Sequence, residues 1–372
     1  MTNKQRLIQR ILYTSILLLT GWYVANHLEE LELIARTLVE ARPLWLVAAL
    51  GAHILWLVLI AASLQSTYSL TGIRESLRHL VPLTAAGNFL NVVAPSYGIG
   101  ALAVFMADGN KRGIPAGKVT TGSILFLVYD YISYMLILPV GLVILSQRDA
   151  LTPVITGSSL IAAVIALFVF VATYLGFRNT GKLKAFLHGL AGFVNRVLFP
   201  LLHRELIPAH RIDLFIKDVT SGLHEMNGPA RKRVIPAVYA LLRKASAILI
   251  LYLASRAFQI DLDPGALFAS FTIAYLFNIV SVTPSGIGFV EGALTLILAS
   301  LGVPLPQAAA ITVTYRGITF WLTLAYGILA IRVIGYPLAA PGRPVQTEPS
   351  TQSPPAFLRD EASYKRDPGL SS

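Results

Sequence analysis

Asn278-Ile-Val-Ser-Val-Thr-Pro-Ser-Gly-Ile-Gly-Phe-Val-Glu-Gly292 is a polar, proline- and glycine-broken stretch inside a hydrophobic segment, and Asn91-Val-Val-Ala-Pro-Ser-Tyr-Gly-Ile-Gly100 is its shorter counterpart in the first half of the chain. Each runs from an Asn through apolar residues to Pro-Ser and then Gly-Ile-Gly. Proline removes a backbone donor and glycine relaxes the chain, so a spanning helix is interrupted there and its freed backbone groups need partners. Hydrocarbon offers none. Such breaks persist where protein or a watery cavity surrounds them, and paired breaks in two halves of a sequence point to a binding site of transporter type near the membrane midplane.

The rest of the composition agrees. Of 372 residues 55% are hydrophobic and 13% charged, against about 25% charged in a soluble domain. This predicts an all-α, polytopic transmembrane helix bundle whose two broken or re-entrant segments form an inverted pair. No cysteine occurs, which removes disulfides, thiolate catalysis and zinc–thiolate sites. The net charge of +11 sits in loops beside apolar spans, where Lys and Arg orient a membrane protein and attract anionic lipid; nucleic acid is not expected as a partner.

Segments long enough to cross about 30 Å of hydrocarbon run over residues 10–28, 43–65, 119–145, 151–177, 234–258 and 307–334, with the broken segments at 81–106 and 265–301. Residues 1–334 are expected to form the membrane domain. The first run follows Lys4, Arg6 and Arg10 without a small-residue cleavage site and is expected to stay as an uncleaved span. The positive-inside rule places both termini in the cytoplasm of a cell-membrane protein, with the two broken segments entering from opposite faces. Residues 178–233 carry ten Lys and Arg against four acids. The apolar period through Leu183, Phe186, Leu187, Leu190, Phe193, Val194 and Leu198 predicts an amphipathic helix, expected on the cytoplasmic membrane surface. The proline-rich tail over 335–372 is expected to be disordered.

Glu291 follows the second break at membrane depth, where an unpaired carboxylate is expensive, so a cation is expected beside it. Arg316 in the next span is the nearest in sequence. That pair either serves function or locks two helices together. Asp130, the acid of the 119–145 span, either relays a proton or bonds the freed backbone of the neighbouring broken segment. Arg243 and Lys244 lie about ten residues into their span; they either attract a phosphate or mark a span that begins later, near Ala245.

Pro95, Gly98, Gly100, Pro284, Gly286 and Gly288 are expected to create half-helix ends whose N–H groups hold an anion, or else to be close-packing sites between helices. With the polar motif residues Asn91, Ser96, Asn278, Ser285 and Tyr315 they complete the candidate headgroup-binding set. No nucleotide loop and no His-Glu-x-x-His occur, so neither an ATP-driven pump nor a zinc hydrolase is indicated, and no cofactor or metal is expected.

At these motifs the chain resembles the transmembrane region of the lysylphosphatidylglycerol synthase family, also described as flippase-like membrane proteins. The match rests on Pro95-Ser-Tyr-Gly-Ile-Gly100 with Arg112-Gly-Ile-Pro115, on Asp130-Tyr131, on Thr283-Pro-Ser-Gly-Ile-Gly-Phe-Val-Glu291, and on Tyr315-Arg316 with Trp321. It covers nearly the whole chain from the second span onward. Where the commoner form of the first motif has Gly-Glu and a following arginine, this sequence has Gly100-Ala-Leu-Ala103.

The resemblance implies a helical bundle with hairpin elements that takes a phospholipid or other polar-headed lipid. It also implies that the soluble aminoacyl-transfer domain of full-length synthases is missing here. The expected function is a flippase or transporter of an anionic phospholipid or polyprenyl-linked lipid. The alternative is an accessory subunit presenting lipid to a glycosyltransferase or lipid-modifying enzyme, docked through residues 178–233. A third, an intramembrane lipid-modifying enzyme, would need Glu291 and Asp130 as its acid–base pair.

Overall fold

The computed structural model describes residues 39, 41–93, 99–202, 212–213, 215–217, 219–220, 230–281 and 283–334. Every regular element among them is helical. In chain order they are α1 (Pro43–Leu70), α2 (Leu77–Val93), α3 (Ile99–Lys111), α4 (Ala116–Ser146), α5 (Pro153–Arg178), α6 (Thr180–Leu202), α7 (Val234–Ala257), α8 (Pro264–Val280), α9 (Phe289–Ser300), α10 (Leu305–Arg316) and α11 (Leu322–Ile334). A 3₁₀ turn (Ala230–Arg233) precedes α7, another (Pro284–Gly286) lies between α8 and α9, and a π-helical turn (Gly317–Trp321) joins α10 to α11. The 10–28 run, residues 94–98 of the first break, most of 203–229 and everything beyond 334 fall outside the described residues.

Local chemistry fixes the helix starts. Proline stands in the first turn of α1, α5, α8 and α10, where its missing N–H costs nothing. Thr152 accepts at its side chain from Ile155 N, and Asp263 from Gly265 N and Ala266 N, each satisfying orphan donors of the first turn. Helices α1, α4, α5 and α7 are long and apolar enough to cross a membrane. Their outward faces are apolar as well: Val154, Leu160, Ile161, Val164, Leu167 and Phe170 of α5 are all exposed, a surface suited to hydrocarbon and not to water.

The broken segments fold back on themselves. Arg112 pairs with Glu75 (2.7 Å) and His79 with Asp108 (2.9 Å), while a Cβ on Gly87 would lie 3.1 Å from Ala101 Cβ. Successive contacts thus step inward along α2 and backward along α3, so the two helices form an antiparallel hairpin. At 13 residues α3 is about 20 Å long, too short to cross about 30 Å of hydrocarbon alone. Likewise α9, of 12 residues, packs along α8 after the second break.

The hairpins open at opposite ends of α4: Gly109 lies against Val119 near its start, and Gly265 against Ile144 and Arg148 at its finish. They meet inside the bundle, where α2 contacts the Pro284–Gly286 turn and where Ile287, Leu90 and Val92 pack against one apolar cluster.

Two apolar clusters hold this arrangement. The larger joins α1, α4, α7, α8, α9 and α10 around Tyr134, Leu251, Phe271 and Leu298; the smaller joins α2, α3 and α11 around Leu80, Phe89 and Leu324. Helices α1 and α7 run antiparallel, with Arg42 N donating to Ala257 O (2.9 Å) and Ser246 Oγ to Ala52 O (3.0 Å). Helix α4 presses on α8 closely enough that a Cβ on Gly141 would come within 2.6 Å of Thr272 Oγ1.

The apolar side of α6 meets protein over part of its length: Leu183, Leu187 and Ala191 pack with Ala172 and Leu175 of α5 and with Ile212 and Ile216. The periodicity signalled an apolar face, but protein covers part of it.

Candidate functional site

The second break is a turn of left-handed residues. Ser285 (φ 49), Gly286 (φ 73) and Gly288 (φ 80) all have positive φ. Glycine adopts this readily, whereas a serine there carries strain. Any side chain at Gly286 would collide with Val290, because a Cβ there would lie 2.5 Å from Val290 Cγ2.

Arg316, the last residue of α10, holds the turn. Its Nη2 donates to the Ser285 carbonyl oxygen (3.1 Å) and its Nε to Glu291 Oε1 (2.5 Å), while its guanidinium lies 4.8 Å from the Phe320 ring centroid. The other oxygen of Glu291 accepts from Gly288 N (2.7 Å), so one carboxylate caps α9 and neutralises an arginine. The π turn begins at the next residue, Gly317; such bulges are rare and cluster at functional sites. The Arg316 side chain is 9% exposed and that of Glu291 31%, leaving one side of the carboxylate open.

A second charged cluster lies on α4, α7 and α8. Arg243 Nη2 and Lys244 Nζ (2.6 Å) both donate to Asp130 Oδ1, and Tyr275 OH donates to Oδ2 (2.6 Å). Lys244 Nζ also stands 3.6 Å from the Tyr275 ring centroid, and the Arg243 guanidinium 4.8 Å from that of Phe126, so the cations meet π faces where water is excluded. Side-chain exposures are 15% for Asp130, 8% for Arg243 and 3% for Lys244. Tyr275 precedes Asn278, at the break, by about one helical turn. Beside α4 and α5 lies an apolar groove of about 260 Å³, lined by Val128, Ile132, Met135, Leu136, Leu167 and Phe170.

The family model for the Lysylphosphatidylglycerol synthase TM region matches residues 10–327. The chain belongs to that family. Two curated proteins similar to this lysylphosphatidylglycerol synthase TM region protein, both from Methanothermobacter thermautotrophicus, carry the description "UPF0104 membrane protein". One is 26% identical over 322 residues, 80% of this chain and 87% of the relative; the other is 22% identical over 250 residues, 65% and 70%. With four helices fit to span a membrane, the chain is a multi-pass membrane protein.

In this family member the structure brings Ser285, Glu291 and Arg316 into one contact set, with Gly286 and Gly288 in the same turn, and gathers Asp130, Arg243 and Lys244 into another. Pro284 forms the turn's start, Asn278 is exposed at the end of α8, and Tyr315 is buried in the larger apolar cluster. Gly100 lies in the first turn of α3, whose Ala101 N donates to Asn91 Oδ1 (3.0 Å). Pro95, Ser96 and Gly98 lie outside the described residues.

The structure narrows one of the alternatives that the sequence left open. Asp130 engages two cations and a phenol rather than broken backbone. Helix α7 runs unbroken from Val234, with Arg243 and Lys244 about ten residues into it, which suits either a pair that attracts a phosphate or an interfacial start to the helix. One amide at each half-helix end has an acceptor within the chain: Ala101 N donates to Asn91 Oδ1 on α2, and Gly288 N to Glu291 Oε2 three residues on.

Sequence reasoning missed Tyr275, Phe126 and Phe320. Only Tyr275 left a signal, one turn before Asn278, but the partner that gives it meaning is 145 residues away. His53 was also passed over: it is buried in α1, stacked on Trp56 at 5.2 Å.

Proposed function

We propose that this protein handles polar-headed lipid within the membrane, as a flippase or transporter of an anionic phospholipid or lipid-linked headgroup. The observation that carries this is the meeting of two oppositely opening hairpins inside the bundle, with ionised side chains gathered at and beside the second break. Inverted half-spans around charged groups at membrane depth are how transporters build a site for a polar solute crossing hydrocarbon. The Glu291–Arg316 pair, partly accessible and fastened to the turn through Ser285, can exchange a partner with a headgroup. The groove beside α4 supplies an apolar path for an acyl chain.

The test is movement of fluorescent phosphatidylglycerol between leaflets in proteoliposomes of the purified protein, read as quenching by an impermeant reductant. Wild type is expected to raise the accessible fraction above that of empty liposomes. The Glu291→Gln, Arg316→Gln double variant is expected to insert and fold but to lose the movement. Wild-type traces that match empty liposomes, with and without an ion gradient, would overturn the flippase reading.

A further inference from the structure

The charges of the two clusters do not balance. Two carboxylates, Asp130 and Glu291, face three cations, Arg243, Lys244 and Arg316. Glu291 and Arg316 neutralise each other. The excess lies in the other cluster, where one oxygen of Asp130 serves two cations and the second oxygen is occupied by Tyr275. Nε and Nη1 of Arg243 are buried and have no hydrogen-bond partner among the described residues. An arginine carries five fixed donors suited to the planar or tetrahedral oxygens of carboxylate and phosphate. Burial without acceptors is costly, and the Phe126 ring at 4.8 Å offers a π face but no lone pair.

We propose that Arg243 and Lys244, oriented by Asp130 and Tyr275, form a binding site for a singly charged phosphodiester, the kind that joins a glycerolipid to its headgroup. One negative charge makes the cluster neutral. Phosphoryl oxygens supply acceptors for the unpaired donors of Arg243, and Lys244 retains ammonium donors beyond the one given to Asp130. Asp130 is a positioning residue: it fixes both cations by one oxygen and leaves Nε and Nη1 of Arg243 without an acceptor. Tyr275 ties this site to the second break, since Asn278 follows on the same helix. This rests on the lipid-handling reading and names the part of the lipid that is recognised.

The experiment measures thermal stability and binding of the full-length protein in detergent micelles with added phosphatidylglycerol, diacylglycerol or inorganic phosphate. Wild type is expected to gain stability with phosphatidylglycerol and none with diacylglycerol, which has the chains without the phosphate. Arg243→Gln is expected to keep or raise the ligand-free melting temperature, because Asp130 and Lys244 then balance, while its Kd for phosphatidylglycerol rises about tenfold or more, as expected for losing a charge-assisted contact. Arg243→Lys, which restores charge without the fork, is expected to fall between.

A ligand-free Arg243→Gln protein that melts far below wild type, with unchanged lipid-induced stabilisation, would overturn the proposal in favour of a purely structural ion cluster. Should inorganic phosphate alone reproduce the full shift, the anion site stands and its lipid source falls. Lipid-dependent stabilisation without movement between leaflets would sink transport and keep the site; a wild type that moves lipid but shows no lipid-dependent shift, with movement unchanged in Arg243→Gln, would sink the site and keep transport.

Discussion

The two charged clusters of this protein are built from the same kinds of side chain and differ in arithmetic and position. At the second break one carboxylate meets one arginine, and each has further work: Glu291 caps α9 through Gly288 N, and Arg316 holds the Ser285 carbonyl of a left-handed turn. Between α4, α7 and α8 one carboxylate meets two cations, and two nitrogens of Arg243 are left over. A balanced pair that also supports backbone explains itself structurally. An unbalanced one, almost fully buried, does not. In hydrocarbon the desolvation of a spare cation has no return unless something negative arrives, and that difference separates a pair that can open to a ligand from a cluster that requires one.

The largest effect that would break this comparison is expected at Asp130. Asp130→Asn leaves Arg243 and Lys244 adjacent with no counter-charge, and removing one partner of a buried ion pair costs on the order of 3–5 kcal/mol. The variant is expected to express poorly or to melt far below wild type. An Asp130→Asn protein as stable as wild type would mean that the cations are not held as charges.

A smaller loss is expected from either Glu291→Gln or Arg316→Gln, toward the lower end of about 3–5 kcal/mol because the Glu291 side chain keeps 31% of its surface accessible. The double variant is expected to recover part of that loss, with a coupling of about 1–3 kcal/mol. Strict additivity in melting temperature would show that the two side chains do not stabilise each other.

The smallest effect is expected at an exposed pair that sharpens the contrast. Arg148 donates to both oxygens of Asp263 (2.8 and 2.6 Å) at the N-terminal end of α8. Together with the amides of Gly265 and Ala266 it draws the Asp263 carboxyl down from 3.8 to about 2. A depressed carboxylate contributes stability above its unfolded pKa and loses it as pH falls through the folded one, so this contribution is present above about pH 4 and fades toward pH 2. Arg148→Ala should scarcely move the melting temperature at neutral pH, since water screens the pair. Asp263→Ala should cost about 1 kcal/mol through the lost N-cap. A loss at Arg148 as large as that at Asp130 would erase the distinction between wet and buried charge.

What the sequence alone determined is everything that depends on short range. Spans follow from apolar runs longer than a bilayer is thick. Starts follow from proline and capping side chains, and the breaks from Pro-Ser with glycines. The Glu291–Arg316 contact is legible too, because 25 residues that fold as a hairpin of α9 and α10 bring its ends together. The tertiary structure alone decided the rest. Asp130 finds Arg243 and Lys244 across 113 and 114 residues and Tyr275 across 145. Those distances in sequence carry no periodicity or spacing that points from one helix to another. Which buried charge meets which, and where a positive charge is left over, depends on how helices pack, and helices in lipid pack by shape and polar contact with no hydrophobic drive written into the pattern.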